Sequence, residues 1–155
     1  MNAVRALLKW ALGLAEKFEW VGPLLIRLVV GYMFFRTGLG KLQHLDKVTE
    51  FFAGLGIPHP HINAIVAAST ECFGGLLIML GLFTRLIAIP LTFVMVVAIA
   101  TAKMGDVHSV ADFVGLSELA YLLIFVWLVF AGAGKASLDY LLCKTLCKNS
   151  SQNAA

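Results

Sequence analysis

Apolar residues fill four stretches of this chain, at 21–39, 62–83, 86–102 and 116–131, separated by short polar clusters. Each stretch is too long and too continuous for a strand, which alternates and seldom exceeds about ten residues. A bilayer core ~30 Å thick takes about 20 apolar residues in a helix. Backbone polar groups must also be satisfied inside the segment at that depth. The pattern therefore predicts an all-α polytopic membrane protein, a four-helix transmembrane bundle. Residues 1–20 read differently. Arg5, Lys9, Glu16 and Lys17 interrupt them, while Leu7, Leu8, Trp10, Ala11, Leu14 and Phe18 recur at helical spacing. That predicts an amphipathic helix lying in the membrane interface. Beyond residue 139 the chain turns polar, so 140–155 is expected to be a cytoplasmic tail, disordered at its end. The expected organisation is thus an interfacial helix at 1–20, a transmembrane domain at 21–139 and the tail.

The polar exceptions inside the apolar stretches fall on faces. In the first span Arg27, Gly31, Phe34, Gly38 and Lys41 follow steps of four, three, four and three, and so share one stripe. Arg36 stands nine residues from Arg27, on the opposite side at ~100° per residue, and is expected to snorkel to head groups. In the second span the stripe is Ala64, Ala67, Glu71, Gly74, Ile78 and Gly81. Small residues on such stripes let helix backbones approach closely. Gly31, Gly38, Gly74, Gly75 and Gly81 are therefore expected at helix contacts, within one chain or across a homodimer. Pro90 sits inside the third span, where a membrane helix tolerates it. Between the first two spans, Asp46 is expected to cap a short surface helix carrying Val48, Phe51 and Phe52.

Composition agrees with a membrane protein of one domain. The 155 residues are 60% hydrophobic and 14% charged, where a soluble domain is closer to half and a quarter. The net charge of +3, with no basic patch interleaved with aromatics, argues against nucleic acid as a partner and leaves the lipid bilayer as the expected surroundings. No small-residue cleavage site follows a short apolar core, so no signal peptide is expected. With four spans, one side carries Arg5, Lys9, Lys17, Arg85, Lys135, Lys144 and Lys148, and the other Lys41, Lys47 and Lys103. The positive-inside rule then places both termini in the cytoplasm. Cys72 reads as packing. Cys143 and Cys147 stand four apart, not in a CxxC redox spacing, and read as cytosolic thiols, with metal binding or acylation as the alternatives. No phosphate loop, nucleophile elbow or zincin motif is present.

Candidate chemistry centres on Glu71. An ionised carboxylate at mid-bilayer costs at least ~2.5 kcal/mol and normally faces a partner within the bundle. Arg27 is the expected partner, at an offset of about 9 Å that a long arginine and tilted helices can span. Lys41, Glu118 and Tyr121 are expected toward the outer surface. One reading is a buried charge network that binds a quinone head group or relays protons, with Glu71 as acceptor. The other is a structural ion pair that sets helix register. His44, His59, His61 and His108 all fall on the predicted outer side, with Glu50, Asp106 and Asp112 near in topology. They are candidate ligands for copper, zinc or a haem, or simply solvated loop residues.

Several of these motifs together resemble the DoxX family of small membrane proteins. They are Arg27-x3-Gly31-x2-Phe34-x3-Gly38-x2-Lys41-Leu42, Phe51 with Gly54-Leu55-Gly56-Ile57-Pro58, Glu71 with Gly74-Gly75, and Leu80-Gly81-Leu82-Phe83-Thr84-Arg85. Gly132-x-Gly134-x2-Ser137-Leu138-Asp139 is similar to the family's closing segment, although Lys135 departs from it. The likeness covers about residues 22–139. It implies a four-helix protein of the bacterial inner membrane. Some members are subunits of a thiosulfate–quinone oxidoreductase, and others belong to complexes handling oxidative or thiol stress. The family supplies no defined catalytic residues to carry over. Two functional expectations follow. One is a membrane component of a redox or thiol-stress system, engaging quinone or a redox partner subunit through the Arg27/Glu71 region. The other is a non-enzymatic accessory or scaffold protein, with metal held by the outer histidines. Transport of a small solute is disfavoured, because four short spans leave little room for a pathway.

Overall fold

The computed structural model describes Trp10, Gly13 and residues 16–152, all helix and connecting turns with no strand among them. Helix α1 (Val21–Gln43) is followed by the short α2 (Leu45–Gly54), then by α3 (Pro60–Leu80) and α4 (Thr84–Ala98). Helix α4 continues without a break into a π-helical turn, Ile99–Lys103, and a 3₁₀ turn, Met104–Asp106. The short α5 (Val110–Val114), α6 (Ser117–Ala131) and α7 (Leu138–Gln152) complete the chain.

Among the described residues three helices are long and apolar enough to cross a membrane, namely Val21–Gln43, Pro60–Leu80 and Thr84–Lys103. The fourth expected span, α6, has 15 residues. At ~1.5 Å per residue that is ~22 Å, short of a ~30 Å core. It packs along α4 and against α1 as part of the same bundle. The interfacial helix expected at 1–20 falls largely on residues 1–9, 11, 12, 14 and 15, which lie outside the described residues. The tail opens as helix α7, Leu138–Gln152; residues 153–155, at the end of the stretch expected to be disordered, lie outside the described residues.

Helix ends follow from local chemistry. Helix α1 runs past Gly38 and Gly40 to Gln43, because a bilayer leaves no water to compete for its hydrogen bonds. His44, rather than Asp46, is the N-cap of α2, and Asp46 lies in its first turn. Pro60 opens α3 at the first helical position, where its missing N–H has no cost. Gly81 closes α3 in the left-handed region at φ 68°, where glycine carries no Cβ penalty. In α5, Ser109 caps by accepting the Asp112 N–H at 3.2 Å.

Glycines set how closely α1 and α3 approach. A Cβ on Gly38 would stand 2.2 Å from the Cys72 backbone nitrogen, and one on Gly75 2.4 Å from that of Phe35. The two helices therefore touch backbone to backbone, and these small residues are used within the chain. The order of contacts is reversed along the two helices, with Gly38 against Cys72, Gly31 against Gly75 and Arg27 against Gly81. They are antiparallel. Gly74 faces the other way, and its Cβ would meet Leu91 of α4 at 3.2 Å. The core is Val30, Phe34, Ile78, Ala88, Leu91, Met95, Phe125 and Leu128. Phe34 joins α1 to α6, with its ring edge-on to Tyr121 at 5.4 Å and to Phe125 at 4.9 Å.

Candidate functional site

Helix α1 ends at Gln43 while its antiparallel partner α3 extends about two further turns to Pro60. Helix α2 folds over that exposed first half of α3. The departure leaves a cavity of about 330 Å³ between α2, α3 and the end of α4. Its walls are largely apolar, with Phe51, Phe52, Leu55 and Ile57 from one side, Val66 and Ala67 from α3, and Phe93, Val94 and Val97 from α4. Thr101 and Ala102 bring the π-helical turn into the wall, next to Ala98 at the end of α4. Such turns widen a helix locally and recur at functional sites.

Lys41 and Glu71 form the polar end of this cavity. Lys41 Nζ donates to Glu71 Oε1 at 2.6 Å. Glu71 lies eleven residues from the start of α3, ~16 Å along its axis. Gly38, one turn before Lys41, lets α1 rest on the backbone at Glu71 and Cys72, so the lysine stem has only a short reach to make. The two charges are buried unequally, the side chain of Glu71 being 4% exposed and that of Lys41 37%. Two other polar groups lining the cavity are engaged locally. The Thr101 hydroxyl donates to the Val97 carbonyl at 2.8 Å, and the Asn63 amide donates to the Pro58 carbonyl at 2.6 Å.

The expected pairing of Arg27 with Glu71 is not formed. Arg27 sits fourteen residues before Lys41, ~21 Å away along α1. The backbone contacts lock α1 and α3 in a register that sets Arg27 beside Gly81 instead. There it is 1% exposed and donates from Nη2 to the Ala136 carbonyl. A Cβ on Gly81 would fall 1.8 Å from Arg27 Nη1, so only glycine fits. Asp139 completes the cluster. Its two carboxylate oxygens accept the N–H of Phe83 at 2.7 Å and of Thr84 at 3.0 Å, and its own N–H donates to the Gly81 carbonyl at 3.0 Å. The carboxylate thus caps α4 from α7, within the field of the Arg27 guanidinium. Leu80–Arg85, Gly132–Asp139 and Arg27, three separate motifs in the sequence, form one clasp. In the sequence Asp139 stood only as the last residue of the closing motif, with no role assigned to it. The available signal was that α4 opens at Phe83-Thr84 with no cap residue of its own.

Glu118 and Tyr121 also lie apart from the Lys41–Glu71 pair. Glu118 Oε1 is 3.5 Å from Lys103 Nζ and Glu118 Oε2 accepts the Ser117 hydroxyl at 3.0 Å. The Tyr121 hydroxyl faces the Met33 sulfur at 3.6 Å. The four histidines are not gathered. His44 and His59 are cap residues of α2 and α3, His61 is exposed in the first turn of α3, and His108 donates its backbone N–H to Asp112 at 3.2 Å. Among the described residues no three His, Cys, Asp or Glu side chains are placed to hold a metal ion. Outside the membrane helices two groups are shifted. Hydrogen bonds from the Ser109 side chain and the His108 backbone hold the Asp112 carboxyl below the usual range. The Glu19 carboxylate, which accepts from Lys135, raises the Lys135 ammonium above its ordinary value.

The model of the DoxX family matches residues 22–104. Relatives match most of the chain. "Putative oxidoreductase CatD" of Bacillus subtilis is 34% identical over 126 residues, 80% of this chain and 88% of its own. An uncharacterized membrane protein of Mycobacterium tuberculosis is 35% identical over 130 residues, 77% of this chain and 80% of its own. The inner membrane protein YphA of Escherichia coli is 31% identical over 124 residues, 75% of this chain and 86% of its own. No solved structure matches the chain.

Proposed function

This chain belongs to the DoxX family, and we propose that it is the membrane component of a redox or thiol-stress system that binds a quinone in the cavity ending at Lys41 and Glu71. The observation that carries this reading is a buried acid–base pair at the end of an apolar cavity of about 330 Å³. That volume is within the ~300–1,000 Å³ of small-molecule sites, which combine apolar walls with a few placed polar groups. A quinone suits the donor set. It has carbonyl oxygens that accept hydrogen bonds, a flat apolar ring and an apolar tail. When bound it supplies two-electron chemistry coupled to proton uptake. Lys41 Nζ would orient a carbonyl oxygen and neutralise charge developing there. Glu71 would hold the ammonium in place, and the apolar walls would exclude water. Lys41, the more exposed partner, is the route by which protons reach solvent. The name of one relative, CatD, points the same way.

The protein would sit in a bacterial inner membrane, as YphA is named to do, with both termini in the cytoplasm and electrons delivered by a membrane or peripheral partner subunit. The competing reading is a non-enzymatic accessory or scaffold. One observation favours it: the other buried charge, Arg27, is engaged with the chain's own backbone, so a buried charge here can be structural.

The test is an absorption spectrum of the detergent-purified protein, air-oxidised and then dithionite-reduced, with a short-chain quinone titrated into quinone-free samples. The expected result is a redox-dependent quinone band and saturable binding that Glu71→Gln abolishes while the helical content is unchanged, and that Lys41→Met abolishes in a less stable protein. A flat difference spectrum together with no saturable binding would overturn the quinone reading in favour of the scaffold.

A further inference from the structure

At the opposite end of the bundle from Lys41 and Glu71, a groove of about 650 Å³ opens between the start of α4 and the start of α7. Its sides are apolar, with Phe83, Leu86 and Leu142 all exposed at its lip. Its base is the turn from Gly132 to Gly134, two glycines in the left-handed region at φ 77° and 76°. Arg85 lies over that turn. A Cβ on Gly132 would be 3.0 Å from Arg85 Nε, so the glycine leaves room for the guanidinium against the backbone. Tyr140 is the second large polar group of the lining.

Among the described residues no carboxylate pairs with Arg85. The ion pairs among the described residues are Lys41–Glu71, Lys103–Glu118 and Lys135–Glu19. The one carboxylate in the groove, Asp139, is committed through both oxygens to the N–H groups of Phe83 and Thr84. The groove also lies where a crossing helix ends, at the level of the lipid head groups. An arginine fork matches phosphate geometry and holds it with charge-assisted hydrogen bonds.

We propose that this groove binds the head group of an anionic phospholipid. The phosphodiester sits on Arg85, Tyr140 is at the rim, and the acyl chains run over Phe83 and Leu86. The occupant is a lipid rather than a soluble anion because the walls around the cation are apolar and continue onto the lipid-facing surface. The site is independent of the quinone cavity at the other end of the bundle.

The experiment is native mass spectrometry of the full-length protein released from micelles containing phosphatidylglycerol, with and without excess inorganic phosphate. Arg85→Gln is expected to weaken phosphatidylglycerol retention about tenfold, the effect of one lost charge-assisted contact. Arg85→Lys should recover part of it, and Lys103→Gln, at a cation already paired with Glu118, should change nothing. Equal retention in Arg85→Gln, equal loss in Lys103→Gln, or displacement by inorganic phosphate would each overturn the assignment. A second measurement covers the case in which Arg85→Gln fails to fold. Tyr140→Trp places a fluorophore in the groove with Arg85 intact. Brominated phosphatidylglycerol should quench it saturably and inorganic phosphate should leave the quenching unchanged; quenching that merely follows the bulk lipid fraction would refute the site.

Discussion

Lys41 and Glu71 are partners with different exits. Removing Lys41 leaves a carboxylate whose side chain is 4% exposed with nothing opposite it, whereas removing the Glu71 charge leaves an ammonium whose side chain is 37% exposed and can turn to water. Breaking a buried pair by deleting one member costs about 3–5 kcal/mol, mostly through the charge left behind. A lost hydrogen bond whose survivor can be hydrated costs nearer 1 kcal/mol. Lys41→Met should therefore destabilise by about 3 kcal/mol or more, and Glu71→Gln by about 1. Unfolding by denaturing detergent titration in micelles measures both. Equal losses, or the reverse order, would show that the pair is not buried in this asymmetric way. The same two variants separate stability from ligand binding, since only Lys41→Met should do serious harm to the fold while both should abolish quinone binding.

Among the elements, α4 depends on a cap that its own sequence does not provide. Phe83, at φ 51°, and Thr84 open the helix, and Asp139 from α7 accepts both N–H groups. Losing such a cap costs about 1–2 kcal/mol, with more from the helix dipole where the carboxylate is partly buried. Asp139→Ala should thus cost about 2 kcal/mol, and hydrogen exchange should accelerate first in the opening turn of α4. Uniform acceleration through all helices would argue against a cap. A second element, α5, carries a pH signature. Its Asp112 carboxyl is held below the ordinary aspartate range by Ser109 and His108. A depressed folded-state value means the contribution is fully present above the unfolded value of ~3.9 and is lost as pH falls through the folded one. Carboxyl NMR should show Asp112 titrating below pH ~3.9, and Ser109→Ala should move it upward. At this scale the sequence was legible where apolar runs are long, and α1, α3 and α4 lie where those runs fall. The clasp was not legible. A stripe at helical spacing gives the azimuth of Arg27 and Glu71 but not their relative depth, which the Gly38–Cys72 and Gly75–Phe35 backbone contacts decide. A cap delivered to Thr84 from Asp139, 55 residues away, likewise leaves no local pattern.

For the molecule as a whole, the open quantity is how many times the chain crosses. The sequence stretch 116–131 was long enough to read as a span, but the helix built from it has 15 residues, ~22 Å, and packs against α1 and α4 through Phe34, Tyr121 and Phe125. A short helix can still cross, because the bilayer thins and flanking residues reach outward at a cost of fractions of a kcal/mol per Å. Leu116 before α6 and the Gly132–Gly134 turn after it give the chain further length. The clasp supplies the stronger constraint. It ties the end of α6, through Ser137 and Asp139, to Arg27 near the start of α1 and to Gly81 at the end of α3. Helix α5, by contrast, follows the far end of α4. If α1, α3 and α4 cross, α6 must return across the membrane to close the clasp. Cysteine labelling with a membrane-impermeant maleimide decides it. In a protein with Cys143 and Cys147 replaced by serine, a cysteine at the exposed Val110 should label in intact spheroplasts. In the unmodified protein the exposed Cys143 should label only after lysis, if the termini are cytoplasmic. Opposite accessibility of the two positions establishes that α6 crosses, and the sense of the difference gives the orientation. Equal accessibility would mean that α6 does not cross, and the clasp could not then join the same ends of α1, α3 and α6.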